Sequence, residues 1–330
     1  MPGRLAWWLC SGSPIAGLAQ YSGAVRNGRS RRIAVWIHAS RQPALEAACQ
    51  FIAELPHDIE CLVVPEARNH IHTRVPDAPL ADITPASLPT AEVVVVFGGD
   101  GTILRAAELA LESDIPVLGV NLGHVGFLAE LEMSQVPQLV QHVVAGDFVL
   151  EHRMTIEVCL FGPGADLPLW RSIAINEVSL EKASREKMVD ALVSIDGLPV
   201  SRWACDGILV STPTGSTAYA FSAGGPVMWP QLEAFQVVPL AAHALFARPM
   251  VLAPDSRVVL DLLADVPGVV CCDGSRSADV PSGSRLDIRR YPHDLMMARL
   301  SEQPFTSRLV KKFALPIEGW RGPATSPEVA

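Results

Sequence analysis

Glu92-Val-Val-Val-Val-Phe97 runs directly into Gly98-Gly-Asp-Gly-Thr102, and that turn into the apolar, helix-compatible stretch Ile103–Leu111. A continuous β-branched run is the signature of a parallel strand covered on both faces, since a strand with one wet face alternates instead. Glycines right after such a strand let the chain turn sharply and let a phosphate approach backbone N–H groups. A helix beginning near Thr102 adds the positive end of its dipole. Strand, glycine turn and helix together point to an open parallel α/β sheet with an anion-binding edge.

The flanking sequence extends this pattern. Arg32–His38 reads as a strand, and Leu45, Ala48, Cys49, Ile52 and Leu55 fall at the spacing of one amphipathic helix. Ile59–Val64 is a second strand. Pro65, Pro76, Pro79, Pro85 and Pro89 then mark an exposed connection, because proline is excluded from helix interiors and central strands. His70 and His72 lie in that connection with no third ligand in view, so no metal site is expected there. Val117–Val120 is another buried strand, followed by Asn121-Leu-Gly-His-Val-Gly-Phe-Leu128 and a helix over Gln135–Val144. Beyond about residue 150 the texture changes. Ile156–Phe161, Ser172–Leu180, Ala191–Ile195, Gly207–Val210, Arg257–Leu262, Val269–Cys272 and Arg285–Ile288 read as strands separated by Gly, Pro, Asp and Ser turns, which predicts an all-β sandwich. The expected organisation is a flexible extension over 1–30, an α/β domain over 31–150, a β-sandwich over 151–300, and a loose tail over 323–330.

Composition limits what such a chain does. It has 330 residues, 49% of them apolar and 18% charged, enough to bury a large core. Runs such as Val93–Phe97 fall far short of the about 20 residues that span a bilayer, so no membrane association is expected. A net charge of −9 argues against a nucleic-acid partner but not against a small anionic ligand held by a few local donors. Seven cysteines without a C-x-x-C spacing make neither a disulfide framework nor a zinc site. Cys271 and Cys272 read as buried thiols, and the expected compartment is the reducing cytoplasm. Leu5–Cys10 followed by Ser-Gly-Ser-Pro is a poor match to an export signal.

Four stretches carry chemistry. In Gly98–Thr102 the informative residue is Asp100: a carboxylate inside a phosphate loop repels phosphate unless it accepts a proton from an attacking hydroxyl or faces a metal ion. The loop lacks the G-K-[ST] ending of a P-loop and is not G-x-G-x-x-G. Phe127, after the second glycine turn, is either a core residue or a wall on which a flat base stacks. Asn176-Glu177 ends the apolar run Ser172–Ile175, so one of the two side chains points inward; a buried carboxylate needs partners, and two vicinal ribose hydroxyls would supply them. Asp206-Gly-Ile-Leu-Val-Ser-Thr-Pro-Thr-Gly-Ser-Thr-Ala-Tyr219, continued by Phe221-Ser-Ala-Gly-Gly-Pro226, gathers hydroxyls and glycines around one aromatic, suited to reading a base edge and a sugar. Ser216 in this stretch is either a ligand contact or a helix N-cap. Asp273-Gly274 reads as a hairpin turn. His243 reads as a core histidine at least as readily as a ligand contact. No G-x-S-x-G elbow supports a serine triad.

The order G-G-D-G-T, N-x-G-x-x-G-F-L, N-E and D-G-x-x-x-S-T-P-T-G-S-T-A-Y resembles the bacterial NAD kinase family from about Ile33 to Gly322. Gly-Gly-Asp-Gly is shared with lipid and phosphofructo-type kinases; the later stretch is far more specific. The resemblance implies an N-terminal α/β domain, a C-terminal β-sandwich and a final segment, 301–322, returning to the first domain. It implies transfer of the terminal phosphoryl group of ATP or polyphosphate to the adenosine 2′-hydroxyl of NAD, with a divalent cation, Mg2+ expected, and a homodimer or homotetramer. Asp100 would accept the 2′-hydroxyl proton. Gly98, Gly99, Gly101 and Thr102 would form the phosphate loop. Asn176 and Glu177 would hold the ribose, and Asp206, Thr217, Ala218, Tyr219 and Ser222 would contact NAD, with Phe127 beside the base. Arg105 and Lys187 would contact phosphate or ligand. Ala242 stands where many relatives have proline before the residue matching His243.

A carboxylate is a weak base towards a sugar hydroxyl, and phosphoryl transfer through a loose transition state needs little early proton removal. Asp100 is therefore expected to align the hydroxyl and take its proton late. Two rival readings are a lipid kinase, which shares Gly-Gly-Asp-Gly but wants a basic or apolar membrane-facing surface, and a non-catalytic NAD-binding regulator, which could dispense with Asp100 and its loop.

Overall fold

The structure, a computed structural model, describes residues 18–22, 31–38, 40–122, 126–129, 131–132, 135–263, 266–300 and 304–316. The expected flexible extension and the tail lie largely outside these residues, as do Gly123, His124 and Val125.

The first part of the chain comprises β1 (Leu18–Ser22), β2 (Arg31–Ile37), α1 (Gln42–Glu54), β3 (Ile59–Val63), α2 (Pro65–Arg74), β4 (Leu80–Asp82), β5 (Val94–Phe97), α3 (Asp100–Glu112), β6 (Val117–Asn121), β7 (Leu131–Glu132), α4 (Val136–Ala145) and β8 (Asp147–Arg153). Strands β4, β3, β2, β5 and β6 lie side by side and parallel, with β7 on β6. The β-branched run behaves as its composition demands. Val95 and Phe97 enter one core with α1 and α4, while Val94 and Val96 enter the other with α3. Its glycine turn therefore lies at the carboxyl edge of the sheet, where open α/β folds bind ligands.

The proline-rich connection differs from the expectation. Pro65 occupies the first turn of α2, where its missing N–H costs nothing, and the later prolines follow that helix. His70 and His72 are thus helical, not loop, residues.

The second part is β9 (Ile156–Phe161), β10 (Trp170–Ala174), β11 (Glu177–Lys182), β12 (Val189–Ile195), β13 (Leu198–Cys205), β14 (Gly207–Ser211), a 3-10 turn (Thr214–Thr217), α5 (Tyr219–Ser222), β15 (Phe235–Leu240), β16 (Met250–Leu252), β17 (Val258–Leu262), β18 (Gly268–Cys272), β19 (Arg276–Val280) and β20 (Arg285–Arg290). Two antiparallel sheets result, β10-β9-β20-β17-β12-β13 and β16-β15-β14-β11-β18-β19. Their inner faces enclose Ile156, Val158, Val178, Leu180, Val210 and Trp203. Trp203 is fully buried, and its indole N–H is satisfied by the Phe246 carbonyl at 2.9 Å.

Two boundaries differ from the sequence expectation. Ser172–Leu180 is not one strand: it breaks at Ile175-Asn176 and crosses from one sheet to the other. The return to the first domain also starts before 301. β21 (Leu295–Arg299), within the range expected for the sandwich, inserts between β8 and β6 of the first sheet, burying Leu295, Met297 and Ala298. Helix α6 (Phe305–Phe313) follows it. Among the described residues no helix is long and apolar enough to cross a membrane.

Candidate active site

Helix α3 begins at Asp100, two residues before the expected Thr102, with Gly99 as its N-cap and no side-chain cap. Gly99 supplies the carbonyl that accepts the N–H groups of Thr102 and Ile103, at 2.8 and 3.1 Å. Asp100 therefore lies in the first helical turn, where negative charge suits the dipole. Its carboxylate is held from outside the helix: Oδ2 accepts the N–H of Phe127 at 3.1 Å, and Oδ1 that of Leu128 at 3.2 Å. The strand-turn-helix unit and the Gly126-Phe-Leu turn are thereby locked together. Thr102 is buried against Gly98, where an added Cβ would come within 2.6 Å of the Thr102 Cβ. Gly99 and Gly101 face open space, with nothing within 4 Å of an added Cβ, so both main-chain segments are accessible to a phosphate.

Phe127 is not an open wall for a base. Only 8% of it is exposed, and its ring lies 5.8 Å from each of the rings of Phe305 and Phe313. Phe313 in turn stacks on Phe221 at 4.6 Å, and Phe305 meets the edge of Trp229 at 5.3 Å. Arg308 donates to the Phe127 carbonyl and Arg299 to that of Leu128, both at 3.2 Å. The ring packs against α6, whose Arg308 lies 181 residues further along the chain.

The β10–β11 crossover brings Asn176 and Glu177 to the sandwich edge. Thr212 fixes it from one side: its N–H donates to the Asn176 carbonyl at 2.9 Å and its hydroxyl to that of Ile175 at 2.6 Å. Gly215 is required where it stands, because an added Cβ would fall 2.1 Å from the Asn176 carbonyl oxygen. Asp273 fixes the crossover from the other side, its carboxylate accepting the N–H groups of Ile175, Asn176 and Glu177 at 2.9, 2.7 and 3.2 Å. Glu177 is buried, and burial pushes its carboxyl up to about 8, helped by the negative charge of Asp273 and opposed by the Tyr219 backbone N–H. Its Oε2 has no protein partner. A buried carboxylate oxygen without a donor is uncommon in a folded protein.

The hydroxyl-rich stretch divides into supports and surface. Ser216 is buried, donates to the Pro213 carbonyl at 2.7 Å and accepts the Met228 N–H at 2.9 Å, so it is a structural clamp. Thr217 donates to Thr214 at 3.3 Å. Ala218 is half-buried, and Tyr219 and Ser222 are exposed beside them. Partial burial and the negative charges of Glu181, Glu177 and Asp206 raise the Tyr219 phenol, which places it at the same mouth as these carboxylates. Asp206 pairs with Lys182 at 2.5 Å. Lys187 is exposed in the loop between β11 and β12, and the lysine that pairs with Asp206 is Lys182. Arg105 is exposed on the α3 face that also carries Thr102, Leu109 and Glu112. That face lines a cavity of about 770 Å³, closed opposite by Trp36 and the Pro85–Pro89 segment. Among the described residues no group of His, Cys, Asp or Glu is placed to hold a metal ion.

Asp273, Arg276 and Lys182 bond to these groups, and the motifs did not single them out. Asp273-Gly274 carried a turn signal, and turn signals do not reveal a carboxylate folded back under a neighbouring strand.

A family model described as the ATP-NAD kinase N-terminal domain matches residues 47–148, and one described as the ATP-NAD kinase C-terminal domain matches 175–300. The chain is 52% identical over 308 residues to an NAD kinase of Cutibacterium acnes, covering 92% of this chain and 96% of that one. It is 47% identical over 304 residues to an NAD kinase of Mycolicibacterium paratuberculosis, covering 88% and 98% respectively. Among solved structures, the yeast NADH kinase complexed with NADH superimposes with a TM-score of 0.80 at 22% identity, over 88% of this chain and 89% of that one. An NAD kinase from Archaeoglobus fulgidus in complex with ATP gives 0.65 at 23%, over 87% and 100%.

Proposed function

Because the chain belongs to the NAD kinase family, we propose that Asp100 aligns the adenosine 2′-hydroxyl of NAD while Asn176 and Glu177 hold the ribose. The chain is a phosphotransferase, an NAD kinase by family, and not a lipid kinase. The observation that carries the assignment of residues is the buried, unpartnered Oε2 of Glu177 next to the Tyr219 N–H, a carboxyl suited to a sugar diol.

In this reading the 2′-oxygen attacks the terminal phosphorus of the donor. The new O–P bond forms as the bond to the bridging oxygen breaks, and the hydroxyl proton passes late to Asp100. Each Asp100 oxygen accepts one backbone N–H, and a carboxylate offers about four lone-pair sites, so acceptor capacity remains for the hydroxyl. The same two bonds fix its direction, which favours alignment as its main contribution. N–H groups around Gly99 and Gly101 receive the donor phosphates. Thr217, Ala218, Tyr219 and Ser222 hold the adenosine. Asp206 acts at the same mouth with Lys182.

The donor is ATP, with its nucleoside in the cavity beside Arg105; polyphosphate would use the glycine loop and leave that cavity empty. A divalent cation would be held by the donor's phosphates, where it would neutralise their negative charge. Exposed Leu245, Phe246 and Val251 are apolar surface that a second copy of the chain would cover in a homodimer or homotetramer. Free Cys49, Cys61, Cys159, Cys205, Cys271 and Cys272 fit a reducing cytoplasm.

The test is purified protein with NAD, Mg2+ and either ATP or polyphosphate, followed through a dehydrogenase strictly dependent on NADP. NADP formation with ATP that is lost in Glu177→Ala through a raised NAD KM is the expected result. Unchanged KM in Glu177→Ala would remove the ribose assignment.

A further inference from the structure

The β18–β19 hairpin has more bonds than a turn requires. Asp273 and Gly274 both take positive φ, 50° and 66°, as a tight hairpin demands. An aspartate there ordinarily points to solvent, yet the Asp273 side chain is fully buried. Besides the three crossover N–H groups already described, it accepts Nη2 of Arg276 at 3.0 Å, and its own N–H donates to the Glu177 carbonyl at 3.0 Å. Arg276 spreads further. It donates to the Ile173 carbonyl at 2.7 Å and the Ser172 hydroxyl at 3.1 Å, and it forms an ion pair with Glu108 on α3. Ser275 adds a hydroxyl contact to the same Glu108 at 3.4 Å. Helix α3 is the helix whose first residue is Asp100.

We propose that Asp273 and Arg276 are positioning residues that set the distance between the ribose-holding carboxyl of Glu177 and the aligning carboxylate of Asp100. The hairpin grips the crossover through Asp273 and grips α3 through Arg276 and Glu108, so one side-chain pair registers two halves of the site contributed by different domains. The inference rests on the reading of Glu177 as the ribose holder. A purely structural clip would be indifferent to which half of the reaction it touched. This one predicts a division: the Asp273 end governs NAD binding, and the Arg276–Glu108 end governs turnover.

The charge of Asp273 also faces Glu177, as do Tyr219 from α5 and the thiols of Cys271 and Cys272 from β18. Of these, Asp273 is the one that raises the Glu177 carboxyl by its charge. Removing that charge lets Glu177 ionise at lower pH, and the ionised form is the better acceptor for a diol. NAD affinity in the parent protein therefore rises with pH as Glu177 ionises, and in Asp273→Asn the rise moves to lower pH.

The experiment uses the full chain and measures NAD dissociation constants by calorimetry across pH, with steady-state kcat and KM, for Glu177→Gln, Asp273→Asn, Glu108→Gln, Arg276→Met and Arg276→Lys. Expected are a pH midpoint shifted down in Asp273→Asn and, above both midpoints, where Glu177 is ionised in both proteins, an NAD affinity about tenfold weaker, and kcat reduced about three- to tenfold in Glu108→Gln with NAD affinity nearly unchanged. Arg276→Lys should recover part of what Arg276→Met loses. If Glu177→Gln alters NAD binding but Asp273→Asn keeps both the affinity and the pH midpoint, the positioning role is overturned while the ribose reading stands. If Glu177→Gln itself leaves NAD binding untouched, the ribose reading fails first. Should Asp273→Asn not fold, the comparison of Glu108→Gln with Arg276→Lys decides: equal losses in kcat and affinity would overturn the proposal.

Discussion

Gly126 lies directly beneath the carboxylate of Asp100: a Cβ added to Gly126 would fall 2.2 Å from Oδ1 and 3.0 Å from Oδ2. No rotation of a methyl group relieves such a contact, so one of the two residues must shift. Gly126→Ala is expected to push Asp100 off its Phe127 and Leu128 donors. A misplacement of about 1 Å costs on the order of 100-fold in rate. Coupled-assay kcat should fall by about that factor while NAD affinity, governed by the sandwich side, changes little. Near-normal kcat in Gly126→Ala would show that the alignment of Asp100 does not matter.

Asp100→Asn has a less simple consequence than the motif suggests. The amide keeps one acceptor oxygen but turns a donor towards the N–H of Phe127 or Leu128, leaving that N–H without a partner. Turnover should fall strongly with NAD binding nearly intact, and stability should fall by about 1–3 kcal/mol. Denaturant unfolding beside single-turnover kinetics checks both. A variant with parent stability would contradict the observed bonding, and one with parent turnover would remove Asp100 from the reaction.

Glu177 gives the pH dependence its sign. Its folded carboxyl is raised from 4.5 to about 8, so the native state retains a proton that the unfolded chain has released. The stability this contributes is fully present below about pH 4.5 and is lost as pH rises through about 8. Asp273, raised to about 6 by burial, works in the same direction over a narrower range. Over the shared range the slope from Glu177 approaches about 1.4 kcal/mol per pH unit. Glu177→Gln should flatten the fall in stability between pH 5 and 8, measured by urea unfolding without NAD. Parallel curves for the two proteins would mean that Glu177 is not held protonated.

Tyr219 is 40% exposed at the mouth shared by Glu177, Glu181 and Asp206, and it contributes little to any core. In the proposed site such a wall would contact the dinucleotide equally before and during reaction. Tyr219→Ala should therefore raise the NAD KM about tenfold with kcat within about twofold. The reverse split, a lost kcat with KM preserved, would assign the ring to the transition state instead.

The legibility of the sequence followed the range of the interactions. The β-branched run Val93–Phe97 and the helical spacing of Leu45, Ala48, Cys49 and Ile52 are local patterns, and the parallel sheet they imply is present. The apolar run before Asn176-Glu177 predicts that one of the two points inward, and Glu177 is the buried one. Asp273 was not legible in this way, because what buries it is a crossover nearly a hundred residues away. Phe127 carried an ambiguous signal for the same reason: only the return of α6 shows that its ring is already occupied. The prolines that follow hide the Pro65 helix in the sequence, although the first helical turn accepts a proline.

The C-terminal helix supplies the final test, since its aromatic contacts lead back to the reacting carboxylate. Phe313 touches Phe221 at 4.6 Å and Phe127 at 5.8 Å, and the Phe127 N–H holds Asp100. Each aromatic pair contributes about 0.5–1.5 kcal/mol beyond the area it buries. Phe313→Ala should lower stability by about 2 kcal/mol and loosen the turn that orients Asp100. Turnover should then fall several-fold more than NAD affinity, because the 3-10 turn ahead of α5 is fixed from the sandwich by Ser216 and Thr212, while α6 meets α5 through the Phe313–Phe221 ring contact. Phe313→Leu, which keeps apolar bulk without the ring, should restore most of the stability and part of the turnover. Calorimetric melting with parallel NAD titrations distinguishes this from a general loosening: if affinity and turnover decline together in Phe313→Ala, α6 stabilises the whole molecule and has no selective connection to Asp100.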